Sequence, residues 1–287
     1  MSTALTFVAT FVFSVSCYAL NPTFFDSVIN KQELSFVLAC IPLCVGVISI
    51  QGFHEAAHYL AARRRNIKIG RPIPLPCPQL GTFGCITPVL SFPSDRKSLF
   101  DLALSGPMAG LAISLLMMFG GIQATIRASN VAISTFPMVP VGLFKCSLLT
   151  STMLATLAPK LMMLPTAQPI PVHPLFLSGF AGLISSSLNL LPIFRLDGGR
   201  IVATLFGPRF TGVSSATTLL FMLSLSISGS SSLAFLWGLL IVFFQRKTEV
   251  PVRDDVTKVD NFRFGTWVGV ATTALLALLP SPGGVFL

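Results

Sequence analysis

A chain of 287 residues that is 53% hydrophobic and only 10% charged does not read as a soluble globular domain, in which about a quarter of the residues carry charge. Its mean hydropathy of +0.80 points instead to an integral membrane protein with the lipid bilayer as its solvent. The net charge of +9 invites nucleic acid as a partner. Lys and Arg, however, fall in short loops between apolar runs, a placement that reports membrane orientation, so no nucleic-acid binding is expected.

Apolar runs near residues 4–20, 35–62, 102–124, 174–193, 211–228, 231–245 and 264–280 each approach the roughly 20 residues a spanning helix needs. They do not alternate as barrel strands would. The expected fold is therefore an all-α polytopic membrane protein with six to eight transmembrane helices. No basic region and no Ser- and Arg-rich stretch precedes the first run, which reads as a true span. A start inside a longer precursor is equally compatible with the sequence. Three parts are expected: an N-terminal helix and loop (1–34), a membrane core (35–245), and a basic loop with a C-terminal helix (246–287). The oligomeric state is not legible.

Residues 71–78 place Pro at every second position, which forbids helix and favours an extended strand. The uncharged stretch from Gly81 to Phe92 is too short and too broken to span. A re-entrant extended or β element near 79–92 is expected, tolerated only against protein or a wet cavity. Gly106 and Gly110 near the start of the third run read as close helix packing. Residues 137–165 are broken by prolines and lysines and read as interfacial. Gly229-Ser230 reads as the turn of a tight helical hairpin. The six cysteines follow no disulfide spacing and read as small apolar residues.

Placing Arg63-Arg64-Arg65 on the cytoplasm-like side and alternating from there puts 15 of the 19 Lys and Arg on that side, in 62–101, 195–209 and 246–263. This asymmetry requires 62–101 to begin and end on the same side.

The sharpest chemical signal is His54-Glu55-Ala56-Ala57-His58. Residues four apart on a helix share a face, so both imidazoles reach one metal, and Glu55 stands beside them as a candidate base. Ionisable groups are expensive within an apolar run and call for a reason. A catalytic zinc site usually has three protein ligands. His173, the one remaining His, begins a span on the side away from the basic loops and reads as interfacial. Asp197, in Asn189-Leu-Leu-Pro-Ile-Phe-Arg-Leu-Asp-Gly-Gly-Arg200, lies near the basic side at the depth of His58. There Pro192 and Gly198-Gly199 are expected to break the helix, and Asn189 to donate a hydrogen bond into the site. The competing reading of Asp197 is a helix cap or an ion pair with Arg195 or Arg200.

His54-Glu-Ala-Ala-His58 with Asn189 to Gly199 resembles the site-2 protease family of intramembrane metalloproteases. The likeness is nearest to the plastid and cyanobacterial branch called EGY (ethylene-dependent gravitropism-deficient and yellow-green). It extends through Gly81 to Thr87, Pro93 to Lys97, Asp101 to Gly110, His173 to Leu175 and Asp255 to Val259, most of the chain from about residue 35. The resemblance implies one zinc ion held by His54, His58 and Asp197, with Glu55 as catalytic base. It implies a transmembrane protein as substrate and a plastid membrane as location, with a bacterial-type inner membrane as the alternative. The Gly-Asn-Leu-Arg-like motif of that branch and a PDZ domain are absent from these residues, which bears on gating rather than chemistry.

Two rival classes stand beside the protease. A metal transporter would need polar residues along a path across the bilayer, and the other runs are nearly free of them. A non-catalytic zinc scaffold has no use for Glu55. Substrate is expected to be held by Gly81, Thr82, Gly84, Thr87 and Asn189, with the Gly81–Val89 stretch adding it as a strand.

Overall fold

The computed structural model describes residues 2–228, 231–244 and 249–284. Helix α1 (Ser2–Tyr18) bends by 113° into the short helical stretch Pro22–Val28. Helix α2 (Ile41–Arg64) carries Pro42 in its first turn, where a missing N–H breaks no helical hydrogen bond. It ends on Arg63 and Arg64, cations that suit a helix C-terminus. A Schellman turn then stops it. Ile67 N donates to the Ala62 carbonyl at 2.9 Å and Asn66 N to Arg63 O at 3.4 Å, and Asn66 takes the left-handed conformation at φ 54°. Ile67 joins Ala62 in one buried cluster, so the chain folds back on the helix it has just left.

The returning chain forms an antiparallel hairpin of β1 (Ile73–Cys77) and β2 (Gly81–Ile86), with Ile73 opposite Ile86 and Cys77 opposite Gly81. The expected extended element is β2 with its continuation, and its partner is the proline-rich run. Alternation explains how a strand so rich in Pro pairs at all. Prolines at every second position turn their missing N–H groups to one side, leaving the donors of Ile73, Leu75 and Cys77 for β2. The tip rests on the middle of α1, where Gly81 at φ 83° leaves room for Thr10. The open end is closed by Gly70 N to Pro88 O at 2.7 Å and Leu90 N to Lys68 O at 2.8 Å. The segment between α2 and the next helix thus starts and ends together.

Asp95 caps helix α3 (Arg96–Arg127), accepting from Ser98 N at 2.7 Å. Between α3 and the next long helix lie β3 (Met138–Pro140), the ten-residue α4 (Leu148–Leu157) and β4 (Pro169–Pro171), with β3 and β4 paired antiparallel. Helix α5 (Pro174–Asn189) is the centre of the molecule, buried at every residue from Phe176 to Asn189. It crosses α3 closely because Gly121 sits against the Phe176 backbone and Gly179 against the Ser114 carbonyl, where a Cβ would overlap. Helices α6 (Asp197–Phe206), α7 (Pro208–Ile227), α8 (Ser232–Phe244) and α9 (Asn261–Leu278) follow. The expected Gly229-Ser230 turn lies outside the described residues.

By length and composition, three described helical stretches are able to cross a membrane: Val37–Arg64, Arg96–Arg127 and Pro208–Ile227. The bent pair that begins with α1 makes a fourth. Helix α5, at 16 residues, is shorter than the roughly 20 a span needs and is surrounded by protein. Large apolar side chains such as Leu116, Leu220 and Ile227 point outward, as on helices solvated by lipid. The six cysteines form no disulfide among the described residues.

The described part of the expected basic tail is not loose. Arg253 N and Asp254 N donate to Pro93 O and Ser94 O, both at 2.9 Å, and Arg96 Nε donates to Asp255 Oδ1 at 2.9 Å. Hydrogen bonds from the Thr257 hydroxyl and from the Val256 and Thr257 amides hold the Asp254 carboxyl below its ordinary range. Residues 249–255 form a strap across the end of the molecule where α2 stops and α3 begins.

Candidate metal centre

His54 and His58 lie one turn apart on the buried face of α2. Asp197 is the first residue of α6 and is also buried. Pro192 lies in the turn after α5, but the glycine pair does not break a helix. Gly198 and Gly199 belong to the first turn of α6, which packs directly on the preceding chain. A Cβ at Gly198 would overlap the Leu190 carbonyl, and one at Gly199 the Phe194 carbonyl. This close approach lets Asp197 turn inward.

Three ligand atoms converge. His54 Nε2 lies 3.3 Å from Asp197 Oδ2, His58 Nε2 lies 3.2 Å from the same oxygen, and the two Nε2 atoms are 3.1 Å apart. His58 Nδ1 donates to the Leu102 carbonyl at 2.8 Å, which leaves the lone pair on Nε2. That lone pair faces a carboxylate oxygen and a second imidazole nitrogen, an arrangement that asks for a cation. Tetrahedral ligands with bonds of about 2.0–2.1 Å stand about 3.3 Å from one another. The observed edges match that figure, so the donor set fits a metal of zinc's size and preference.

Glu55, half-buried, faces the hairpin. Its Oε1 accepts from Gln51 Nε2 at 3.1 Å and its Oε2 from Thr87 Oγ1 at 2.6 Å. Asn189 Nδ2 donates to Phe83 O at 3.3 Å and Ser185 O at 3.2 Å, tying β2 to α5. Asn189 and Thr87 line a narrow cleft with His58, Cys85 and Asp197. Gly84, at φ 102°, makes room for the Asn189 amide. Thr82 uses its hydroxyl inside the hairpin, on Leu75 O, and Gly81 packs on α1. His173 stands apart from the cluster, capping α5 through Nδ1 and stacking edge-on against Phe136.

Three features of the site go further than the sequence reading, which names Arg200 as an ion-pair partner competing for Asp197 and Gly106 and Gly110 as helix packing alone. Gly106 and Gly110 do more than pack helices. A Cβ on Gly106 would collide with the His58 ring, and one on Gly110 would press on His54 Nδ1 and Ser186. Gln51, one turn before Glu55, is its hydrogen-bond partner, a position readable from helical spacing. Arg200, one turn after Asp197, is buried and reaches Asp197, Thr87 and Glu249. Nothing in the local pattern singles out Glu249.

A family model described as peptidase family M50 matches residues 42–228, which contain all the converging residues from His54 to Asp197. The chain is similar to the "probable zinc metalloprotease EGY1, chloroplastic" of Oryza sativa subsp. japonica, 36% identical over 86% of this chain and 42% of that protein. It is also similar to the protein of the same name from Arabidopsis thaliana, 38% identical over 85% and 44%. The "probable zinc metalloprotease EGY3, chloroplastic" of Oryza sativa subsp. indica is 30% identical over 88% and 44%. The chain thus spans less than half the length of these relatives. No solved structure matches it. The extent of the family match establishes that the chain belongs to peptidase family M50.

Proposed function

We propose that the chain is an intramembrane zinc metalloprotease that hydrolyses peptide bonds in or near the membrane segments of other proteins. The observation that carries this reading is the convergence of His54 Nε2, His58 Nε2 and Asp197 Oδ2, with Glu55 next to the first of them. The names of the relatives support zinc and a chloroplast location, the one group of three converging ligands among the described residues supports one ion per chain, and the long apolar helices support a membrane. Six to eight spans, a re-entrant 79–92 element, and the division at 34 and 245 belong to the same reading. The family match at 42–228 falls inside the middle part.

Zinc at such a site acidifies water to a pKa of about 7 and polarises a carbonyl. The residues do the rest. Asp197 and the imidazoles would hold the ion, and the Leu102 carbonyl keeps His58 in the tautomer this requires. Gln51 and Thr87 hold the two Glu55 oxygens in place by hydrogen bonds, beside the ligands. Glu55 takes a proton from the attacking water as the new carbon–oxygen bond forms, then delivers it to the amine as the carbon–nitrogen bond breaks.

A helical substrate hides its carbonyls in hydrogen bonds and has to be unwound locally. Backbone groups left unpaired in a dry site cost several kcal/mol each on alkane-like scales. The Gly81–Val89 stretch supplies partners in this reading. Pro74 has no N–H to exchange with Cys85 opposite, so the Cys85 backbone groups point away from β1, and Cys85 lines the cleft. Asn189 and Thr87 flank this edge.

The test combines zinc stoichiometry of the purified protein with cleavage of a membrane-spanning reporter. One zinc per chain with cleavage is expected, and both fall together in His58→Ala and Asp197→Ala. Full zinc and normal cleavage in Asp197→Ala would remove it from the ligand set. Bound zinc with no cleavage of any membrane reporter would favour the non-catalytic scaffold.

A further inference from the structure

Arg200 is 3% exposed, and a guanidinium does not shed its charge in a protein. Buried ion pairs contribute little net stability, because desolvation offsets their attraction. The three contacts of this side chain suggest another use. Nη1 lies 3.5 Å from Asp197 Oδ1, the oxygen not facing the imidazoles. Nη2 donates to the Thr87 carbonyl at 2.8 Å, and the same Thr87 gives its hydroxyl to Glu55. Nε donates to Glu249 Oε2 at 2.5 Å. Glu249 is itself fixed, with Oε1 accepting from Val250 N at 2.9 Å, and it opens the strap pinned to residues 93–96.

One planar fork therefore reaches the metal-facing carboxylate with one arm and the anchor of the candidate base with the other. A carboxylate from another part of the chain holds its root. An aspartate turns freely about its last torsion unless its second oxygen is held. We propose that Arg200 is a positioning residue. It keeps Asp197 Oδ2 on the two imidazoles and sets Thr87 so that Glu55 stays beside them, while Glu249 holds Arg200 in that pose. The strap 249–255 is then part of the site although it supplies no ligand. Lysine keeps the charge but cannot bridge both arms, because its single ammonium lacks the planar fork.

This inference rests on the metalloprotease reading, and the experiment separates the two. Purified full-length protein is stripped of metal, its zinc affinity is measured by competition, and its cobalt(II) form is recorded in the visible range. Arg200→Lys, Arg200→Gln and Glu249→Ala should each weaken zinc by about 10- to 100-fold, the scale typical of lost supporting hydrogen bonds around metal ligands. Each should also alter the cobalt bands. Glu249→Gln keeps an acceptor for Nε and should stay close to wild type. The double variant Arg200→Gln with Glu249→Ala should be no worse than the worse single one. Asp255→Ala, which frees the strap from Arg96 without touching Arg200, should lower thermal stability and leave affinity and spectrum unchanged.

Wild-type affinity and spectrum in Arg200→Lys and Glu249→Ala would overturn the proposal. So would an equal shift in Asp255→Ala, which would reduce the effect to loosened packing. If Arg200→Gln fails to fold, the other two variants decide. Wild-type protein that takes up no metal would sink the metalloprotease reading, and this inference with it.

Discussion

His54, Glu55 and His58 share one turn of α2 but face different surroundings. The two imidazoles are buried toward α3 and Asp197, whereas Glu55 turns to the hairpin. Glu55→Gln keeps the shape and loses the ability to take a proton. Zinc content should stay near wild type while reporter cleavage falls by roughly 100-fold or more, measured by single-turnover kinetics. Unchanged cleavage would take Glu55 out of the mechanism. Gly106 sets the other limit at this scale. In Gly106→Ala the new Cβ meets the His58 ring, and relieving it means moving the imidazole off the Leu102 carbonyl. A loss of about 1–3 kcal/mol of stability, typical of overpacking, and weaker zinc binding are expected. In Gly120→Ala the new Cβ finds ordinary van der Waals contact with Leu175, at 3.5 Å. Thermal melts and zinc titrations of the pair should separate, and equal behaviour would mean that the His58 ring yields without cost.

Among the elements, the hairpin and α6 form the site around α2. Alternating prolines close the outer side of β1 to further pairing, so β2 is the edge with donors to offer. Cys85→Pro removes one such donor, in the half-buried part of β2. It should strongly cut cleavage of a substrate whose transmembrane helix is stable. The loss should be smaller for a substrate already unwound by Gly or Asn near the cut, with zinc binding intact. Equal losses for both substrates, or none, would end the strand-addition idea. Helix α6 depends on Gly198 and Gly199, which seat its first turn on the carbonyls of 190–194 and so aim Asp197 at α2.

For the whole molecule, the outward apolar side chains and the buried α5 describe a bundle that treats lipid as solvent. The basic end, where α2 stops and α3 starts, should face one side of the membrane, and the β3–β4 end the other. Both Arg209, at the start of α7, and Met163, before β4, are exposed. In a background without cysteine, a thiol at Arg209 should react with polar reagents from the Arg63 side, and one at Met163 only from the opposite side. Labelling of both from one face would overturn this orientation.

The sequence by itself determined the solvent, the approximate positions of the long apolar helices and the pairing of two imidazoles on one face. Each of these is carried by residues a few positions apart, through apolar length or a four-residue spacing. It also placed an extended element after α2, because alternating Pro and paired Gly leave the backbone no helix to form. Asp197 was legible only as a carboxylate at matching depth and through a family resemblance, since it stands 139 positions from His58 and no local signal marks their meeting. The tertiary structure alone decided the rest. It showed Thr87 on Glu55, Gly106 under His58, and Arg200 tied to a strap from the far end of the chain. It also made α5 a buried centre with no face left for lipid. Such contacts join segments far apart in sequence, and only the packed fold sets which polar groups are buried together and have to satisfy one another.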